Sequence, residues 1–126
     1  MIYFVEDDSS IRELVVYTLN NTGFEAQGMD NAKTLYEKIS IKKPELILLD
    51  IMLPGKDGIK ILKEIKDHPE LKKGIVIALT NLNSENIIQE VFGSGADGYL
   101  IKSEITPDKV VEEVNRILAN QEGSGI

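Results

Sequence analysis

The sequence predicts an α/β fold in which five strand–helix units build one parallel sheet. Five short apolar runs alternate with five amphipathic stretches along the 126 residues, and that alternation is typical of βαβ units joined by right-handed crossovers. Acidic residues stand directly after two of the runs. Glu6 and Asp7 follow Ile2–Val5, and Asp50 follows Leu46–Leu49. Because a buried strand that ends on a carboxylate is costly unless the carboxylate is solvated, paired or bound to a metal, the same runs also indicate a candidate site.

The spacing of apolar side chains justifies both kinds of element. The predicted strands, of which the second is the weakest, are Ile2–Val5, Phe24–Met29, Leu46–Leu49, Ile75–Leu79 and Tyr99–Ile101. Between them, side chains recur at i, i+3, i+4 and i+7, which indicates helices with one buried face. The positions concerned are Ile11, Leu14, Val15, Thr18 and Leu19; Ala32, Leu35, Tyr36 and Ile39; Ile59, Leu62 and Ile65; Ile87, Ile88, Val91 and Phe92; and Val110, Val111, Val114, Ile117 and Leu118.

Several residues have the character of helix starts and stops. Ser10 with Glu13 forms a capping-box pattern at the first helix. Thr106 precedes Pro107, an arrangement that predicts an N-cap followed by proline at the first helical position. Glycines follow the first and the fourth helices, as expected where a helix ends: Gly23, Gly93 and Gly95.

Length and composition bound the class of protein. We expect one domain over residues 1–121 with a flexible tail at 122–126. The net charge of -7 and the pI near 4.7 argue against direct nucleic-acid binding, which needs a basic face. No apolar run approaches the roughly 20 residues that span a bilayer, and the first residues lack the basic region of a signal peptide. The absence of cysteine fits a reducing cytosol and there is no polybasic membrane patch, so we expect a cytoplasmic protein that does not bind membranes.

The acidic strand ends predict a cation site if their strands lie in one parallel sheet. The carboxyl ends of such strands share an edge, where open α/β sheets bind ligands. Three carboxylates crowded at that edge repel one another, and a divalent cation would relieve the repulsion. The alternative interpretation is that each acid caps a following helix or merely ends a strand.

Four stretches resemble the receiver domains of two-component response regulators. These stretches occur in the family's order and spacing and cover essentially the whole chain: Phe4–Arg12, Leu48–Gly58, Ala78–Thr80 and Gly95–Lys102. The resemblance implies a doubly wound, flavodoxin-like (βα)5 fold with strand order 2-1-3-4-5. It also implies a phosphorylated aspartate and a Mg²⁺ cofactor.

Asp50 is the candidate phospho-acceptor because it is the single acidic residue that ends the central strand. Attack of a carboxylate on a phosphoryl group gives an acyl phosphate, a standard covalent route. Glu6 and Asp7 supply hard oxygen ligands for Mg²⁺, with Asp50 and waters completing the shell. The resemblance further implies that the backbone carbonyl of Met52 joins the shell, that Asp7 binds directly, and that Glu6 often acts through water.

Three residues on the last two strands complete the predicted site. Lys102 can reach phosphoryl oxygens as a compact cation, and Thr80 offers a hydroxyl to the same group. By resemblance, Tyr99 is the switch aromatic whose rotamer follows phosphorylation. Taken singly, each has a plainer interpretation: a solvated strand-end lysine, a turn residue and an aromatic of the sheet.

Three positions qualify the resemblance. Ser103 follows Lys102 where most receivers have proline in a cis peptide, and a trans bond is favoured here because serine lacks the tolerance of proline for cis. Asn81 stands where a small residue is usual, which predicts narrower access to the phosphorylation site. Asp8 is a third acid in the first loop, and we interpret it as a helix cap instead of a ligand.

The function predicted is a phosphorylation-dependent signalling switch, either standalone or part of a larger regulator. The phosphoryl donor would be a sensor histidine kinase or a phosphotransfer protein. An output protein or domain would bind the face formed by the fourth helix, the last strand and the last helix. The only catalysis expected is self-phosphorylation and autodephosphorylation, not metabolism. Alternatives are a receiver-like scaffold that does not switch and an engineered or chimeric receiver.

Overall fold

A computed structural model describes residues 1–53, 57–69, 71, 74–81 and 85–124, with side chains as far as residue 120. The strands are β1 Ile2–Val5, β2 Ala26–Met29, β3 Leu46–Asp50, β4 Ile75–Thr80 and β5 Gly98–Ile101. The helices are α1 Ser9–Asn21, α2 Ala32–Ile41, α3 Gly58–Asp67, α4 Glu85–Gly93 and α5 Pro107–Ser124, with a short 3-10 helix at Lys102–Glu104. The motif residues 54–56 lie outside the described residues.

All strand pairs are parallel, and the sheet order is β2-β1-β3-β4-β5, which confirms the predicted fold. β1 and β3 are neighbours, with Val5 opposite Leu49, although β2 lies between them in sequence. The chain therefore leaves β1 and β3 toward opposite faces of the sheet. A crevice opens where the strand order reverses, at the carboxyl ends of these two strands.

Helices cover both faces of the sheet, and two apolar cores lie beneath them. Side chains of β1 alternate between the cores: Tyr3 and Val5 face α2, α3 and α4, whereas Ile2 and Phe4 face α1 and α5. This alternation is the period of two that every strand imposes on its side chains. The sheet is thus buried on both faces and meets solvent only at its edges and its strand ends.

The first helix begins two residues earlier than the capping-box pattern predicts. Asp8 is its N-cap, and the Asp8 Oδ1 atom accepts a hydrogen bond from Ile11 N at 3.0 Å. The Ser10 capping box is therefore wrong, because Asp8 is an equally good cap and lies two residues upstream. The interpretation of Asp8 as a helix cap is confirmed.

The other predicted helix ends are confirmed except that of Gly93. Gly23 and Gly95 have φ angles of +97° and +108°, a left-handed conformation that favours glycine after a helix. Gly93 is instead the last residue of α4. At α5, Pro107 is the first helical residue, and Thr106 Oγ1 accepts a hydrogen bond from Lys109 N at 3.2 Å.

Two predicted core side chains are exposed. Leu14 of α1 is 53% exposed and Phe92 of α4 is 45% exposed, because the sheet covers only part of each apolar stripe. The last helix continues to Ser124, into the segment predicted as a tail, so the boundary at 121 stays a prediction. Among the described residues, no helix combines the length and apolar character needed to cross a bilayer.

The outer edge of β2 is capped by a side chain from α1. Ile2 N donates to Glu25 O at 2.8 Å, so the alternate main-chain groups of β2, those of Ala26, point away from β1. Asn20 takes both of them: its Oδ1 accepts from Ala26 N at 2.9 Å and its Nδ2 donates to Ala26 O at 3.2 Å. A polar side chain thereby occupies a hydrogen-bonding position at the edge of the sheet.

Candidate functional site

The strand register brings the predicted acidic residues together. Val5 pairs with Leu49, so Glu6, one residue further on, lies level with Asp50. One carboxylate oxygen from each of Glu6, Asp7 and Asp50 lies within 4.8 Å of the others. Two of these side chains are buried and that of Asp7 is 41% exposed, so the cluster is open to solvent on the Asp7 side.

One lysine faces all three carboxylates. Lys102 lies one residue beyond Ile101, which pairs with Thr80 of β4. Its Nζ is 2.7 Å from Asp50 Oδ2, 2.8 Å from Glu6 Oε1 and 4.0 Å from Asp7 Oδ1. Burial lowers the pKa of Lys102, but Asp50 and Glu6 outweigh that effect and raise it, so the amine is charged. The acidic groups around it outnumber this single positive charge.

Asp50 is fully buried yet held ionised. Its Oδ1 accepts a hydrogen bond from Met52 N at 2.8 Å, and its Oδ2 accepts one from Lys102 Nζ at 2.7 Å. Burial alone raises the pKa of Asp50, but the Glu6 carboxyl, Lys102 and the Met52 N–H outweigh burial and lower it below its usual value. The carboxylate is thus in the form that can attack an electrophile.

Glu6 has the opposite electrostatics. Burial, reinforced by the neighbouring Asp50 and opposed by Lys102, raises the pKa of Glu6 to about 8. Its Oε1 contacts Lys102 Nζ at 2.8 Å without the angles of a hydrogen bond, and its buried Oε2 has no hydrogen-bond partner among the described residues. A buried polar atom without a partner is costly, and a bound hard cation would supply one. The donor set therefore fits Mg²⁺.

The remaining predicted site residues are placed as follows. Thr80 is fully buried at the end of β4, on the same edge of the sheet. The side chain of Met52 is 42% exposed, and its backbone N–H binds Asp50. The Lys102–Ser103 peptide is trans, as predicted, because the described residues contain no cis bond, and it begins the 3-10 helix. Asn81 is exposed immediately after β4.

Tyr99 lies on β5, half-buried against α4. Its ring meets that of Phe92 edge to face, with centroids 6.3 Å apart and an interplanar angle of 74°. Tyr99 pairs with Ala78, two residues before Thr80 on β4, so it lies two residues back along the strands from the end where the acidic residues cluster. The ring in this position bridges the sheet and the fourth helix.

The sequence pattern did not reveal the contacts of Arg12. This residue of α1 reaches back to the main chain of β1, where Nη1 donates to Glu6 O at 2.7 Å. Arg12 stands inside the first motif, but its partners are backbone carbonyls, which every residue carries. Spacing alone could not have identified them.

Comparisons with known proteins agree with this geometry. Residues 2–115 match the sequence profile of the response regulator receiver domain. The chain is 33% identical over 125 residues to the transcriptional regulatory protein SrrA of Staphylococcus aureus, an overlap of 99% of this chain and 50% of SrrA. It is 34% identical over 101 residues to KdpE of the same species, covering 80% of this chain and 42% of KdpE. The chain thus spans about half the length of these relatives.

Solved receiver structures have the same fold. The chemotaxis response regulator CheY4 of Vibrio cholerae superposes with a TM-score of 0.84 at 25% identity, over 92% of this chain and 96% of that one. A CheY-like receiver domain protein of Methanospirillum hungatei gives a TM-score of 0.85 at 26% identity, over 98% and 96%. Each superposition covers more than nine tenths of this chain.

Proposed function

Because the chain belongs to the response regulator receiver family, we propose that it is a signalling switch in which Asp50 accepts a phosphoryl group. Family membership supports a phosphorylation-dependent signalling role. The donor we infer is a sensor histidine kinase or a phosphotransfer protein, carrying the phosphoryl group on a histidine nitrogen. One observation carries the assignment of Asp50: a fully buried, ionised carboxylate lies 2.7 Å from a lysine at the open end of a parallel sheet.

The proposed reaction transfers one phosphoryl group. An oxygen of Asp50 forms a bond to phosphorus as the P–N bond of the phosphohistidine breaks, and its electron pair returns to the imidazole nitrogen. The nitrogen then takes a proton from solvent. Lys102, now paired with Asp50, can follow the negative charge onto the phosphoryl oxygens, and the Thr80 hydroxyl can donate to one of them. Dephosphorylation restores the free Asp50 carboxylate: water attacks phosphorus, the P–O bond to Asp50 breaks, and inorganic phosphate leaves.

The carboxylates of Glu6, Asp7 and Asp50 would hold Mg²⁺, and the Met52 carbonyl is the further ligand we propose. When bound, Mg²⁺ neutralises charge on the carboxylates and on the incoming phosphoryl group, so that two anions can meet. Asp7, the exposed member, is the side chain that an entering cation would reach first. Glu6, whose buried Oε2 has no hydrogen-bond partner among the described residues, would supply a further oxygen ligand.

The output step we propose runs through Thr80 and Tyr99. Movement of the Thr80 hydroxyl toward a phosphoryl group on Asp50 would vacate space behind β4, into which the Tyr99 ring can rotate. Tyr99 would then leave its contact with Phe92, changing the face formed by α4, β5 and α5. An output protein or domain that prefers one arrangement would bind the phosphorylated form with altered affinity, since a ligand can shift two states only by its differential interaction.

The test is phosphorylation by a small acyl phosphate. With Mg²⁺ present, intact-mass analysis should show one phosphoryl group on the wild type and none on Asp50→Asn. Asp67→Asn is the matched control, because Asp67 is an exposed carboxylate at the end of α3. Equal phosphorylation of wild type and Asp50→Asn would remove Asp50 from this role. If the wild type is phosphorylated to the same extent without Mg²⁺, the cation has no role in the proposed reaction.

A further inference from the structure

Arg12 is attached to the acidic loop through the loop's main chain. Its Nη1 donates to Glu6 O at 2.7 Å and, more weakly, to Asp7 O at 3.5 Å. Among the described residues Arg12 makes no ion pair with a carboxylate, and its hydrogen bonds run to these two carbonyls. The guanidinium therefore does not neutralise the acids directly. It holds the backbone of the two residues that carry them.

The neighbouring strand leaves room for this side chain. Gly28 of β2 lies beside the stem of Arg12, and a Cβ atom at Gly28 would come within 2.7 Å of Arg12 Cγ and 3.0 Å of Arg12 Cδ. Any side chain at Gly28 would push the stem aside. The lack of a side chain at Gly28 thus leaves the space through which the Arg12 side chain runs from α1 to the end of β1.

Asp7 depends on this support more than the other acids do. Asp50 is held by two hydrogen bonds and Glu6 by complete burial, whereas the Asp7 side chain is 41% exposed and lies 4.0 Å from its ion-pair partner, Lys102 Nζ. The position of the Asp7 carboxylate therefore follows from the position of its backbone. That backbone is what Arg12 binds.

We propose that Arg12 is a positioning residue that pre-orders the Glu6–Asp7 turn so that both carboxylates can bind one divalent cation. The cation in this inference rests on the proposed function. Groups that orient metal ligands without touching the metal commonly govern metal affinity. Here the orienting bond runs to the carbonyls of the ligand residues instead of to their side chains.

A role of Arg12 through its charge and a role through positioning predict opposite changes in Mg²⁺ affinity when Arg12 is replaced, which makes the inference testable. Removal of a positive charge close to a cation site should strengthen Mg²⁺ binding if Arg12 acts only through its charge. Loss of pre-organisation should weaken binding. A role confined to folding should lower stability and leave the Mg²⁺ dissociation constant unchanged.

The experiment is a MgCl₂ titration of ¹⁵N-labelled protein followed by the amide signals of the site. For Arg12→Gln we expect a dissociation constant about tenfold weaker than that of the wild type, the lower end of what orienting partners contribute. Arg12→Lys keeps the charge but loses the planar fork, and should fall between the two. Arg116→Gln removes an equal charge from an exposed site on α5, where Arg116 pairs with Glu113, and should leave the constant unchanged.

A second pair of variants leaves Arg12 in place. Gly28→Ala should displace the stem and weaken Mg²⁺ binding, whereas Gly93→Ala, whose added Cβ would meet nothing within 4 Å, should not. Without Mg²⁺, amide hydrogen exchange at Asp7 and Asp8 should be faster in Arg12→Gln than in the wild type. If Arg12→Gln fails to fold, Arg12→Lys and Gly28→Ala decide.

The outcomes separate this inference from the proposed function. Unchanged or tighter Mg²⁺ binding in Arg12→Gln, beside a wild type that binds Mg²⁺ and accepts a phosphoryl group, would overturn the role of Arg12 alone. A wild type whose site amides do not respond to Mg²⁺ would overturn both.

Discussion

Two clusters of lysine and carboxylate lie at opposite ends of the strands of the same sheet. One is at the amino ends (the amino edge) and the other at the carboxyl ends (the carboxyl edge), and they differ in whether positive and negative charges are balanced. At the amino edge, Lys66 Nζ donates to Asp97 Oδ2 at 3.0 Å and to Gly74 O at 2.9 Å, and the same Asp97 oxygen accepts from Val76 N at 2.8 Å. One cation meets one anion there. At the carboxyl edge, Lys102 faces three carboxylates, two of them fully buried.

The difference separates a structural contact from a site prepared for a ligand. The amino-edge pair ties α3 to the start of β4 and to the loop before β5, and each of its charged groups has a partner of opposite sign. The carboxyl edge retains excess negative charge and a buried Glu6 oxygen without a hydrogen bond. Stability favours the first arrangement, whereas the second is stabilised only when a cation arrives.

The largest effect we expect is at the amino edge. Asp97→Ala should lower the free energy of unfolding by about 2 kcal/mol, because it leaves the buried Val76 N–H and the Lys66 ammonium without their acceptor. Urea denaturation measures this. The control, Asp67→Ala, removes an exposed carboxylate beside Lys66 at the end of α3 and should change stability by less than about 0.5 kcal/mol. Equal losses in the two variants would contradict the structural role of the amino-edge cluster.

Mg²⁺ should act only at the carboxyl edge. At about ten times its dissociation constant, Mg²⁺ should raise the free energy of unfolding by about 1.4 kcal/mol, since it binds the native cluster and not the dispersed carboxylates of the unfolded chain. Asp97→Ala should gain the same increment, and Asp50→Ala should gain little. Paired urea titrations with and without MgCl₂ measure the increment. A wild type that gains nothing at millimolar Mg²⁺ would contradict an assembled cation site.

A smaller effect should appear when one excess carboxylate is neutralised. Asp7→Asn should raise the stability of the Mg²⁺-free protein by about 0.5 kcal/mol, a value kept small because Asp7 is partly exposed. Its 4.0 Å distance from Lys102 means that little attraction is lost, while repulsion from the ionised Asp50 is relieved. Thermal melts in the presence of a chelator measure the change. A lower melting temperature would show that the attraction to Lys102 dominates.

The two edges should also differ in response to a phosphoryl mimic. With beryllofluoride and Mg²⁺, NMR signals of Thr80 and of the Tyr99 ring should shift as the ring turns inward, while the amides of Val76 and Asp97 stay in place. The effect is local because only the carboxyl edge changes its charge. Identical Tyr99 signals in both forms would contradict the coupling and leave Tyr99 as an ordinary aromatic of the sheet.

The residues that converge on the site were predictable because each one ends an apolar run. In a parallel sheet the carboxyl ends of the strands share one edge, and the order β2-β1-β3-β4-β5 places β1 beside β3, so Glu6, Asp7 and Asp50 lie close together, with Lys102 reaching them from the end of β5. Position along a strand is a local property, and local patterns carry it. The same holds for Gly23 and Gly95, whose conformation depends only on the end of a helix.

Contacts that depend on tertiary packing were not predictable. The Lys66–Asp97 pair joins residues 31 positions apart in sequence, and either residue alone is an ordinary surface charge. Leu14 and Phe92 fit the apolar periodicity of their helices but remain exposed, because periodicity identifies a stripe and not the part of it that meets the sheet. The bonds from Arg12 end on carbonyl oxygens, which leave no trace in the pattern of side chains.

The cap on the outer edge of β2 bears on how this domain behaves when it is concentrated. An unpaired strand edge is a template on which a strand from another molecule can grow, the first step toward aggregation. Here the Asn20 amide occupies both outward main-chain groups of Ala26, so an incoming strand would have to displace two hydrogen bonds before forming its own. Asn20 of α1 thus takes the hydrogen bonds at Ala26 that an added strand would form, and this should limit aggregation through that edge.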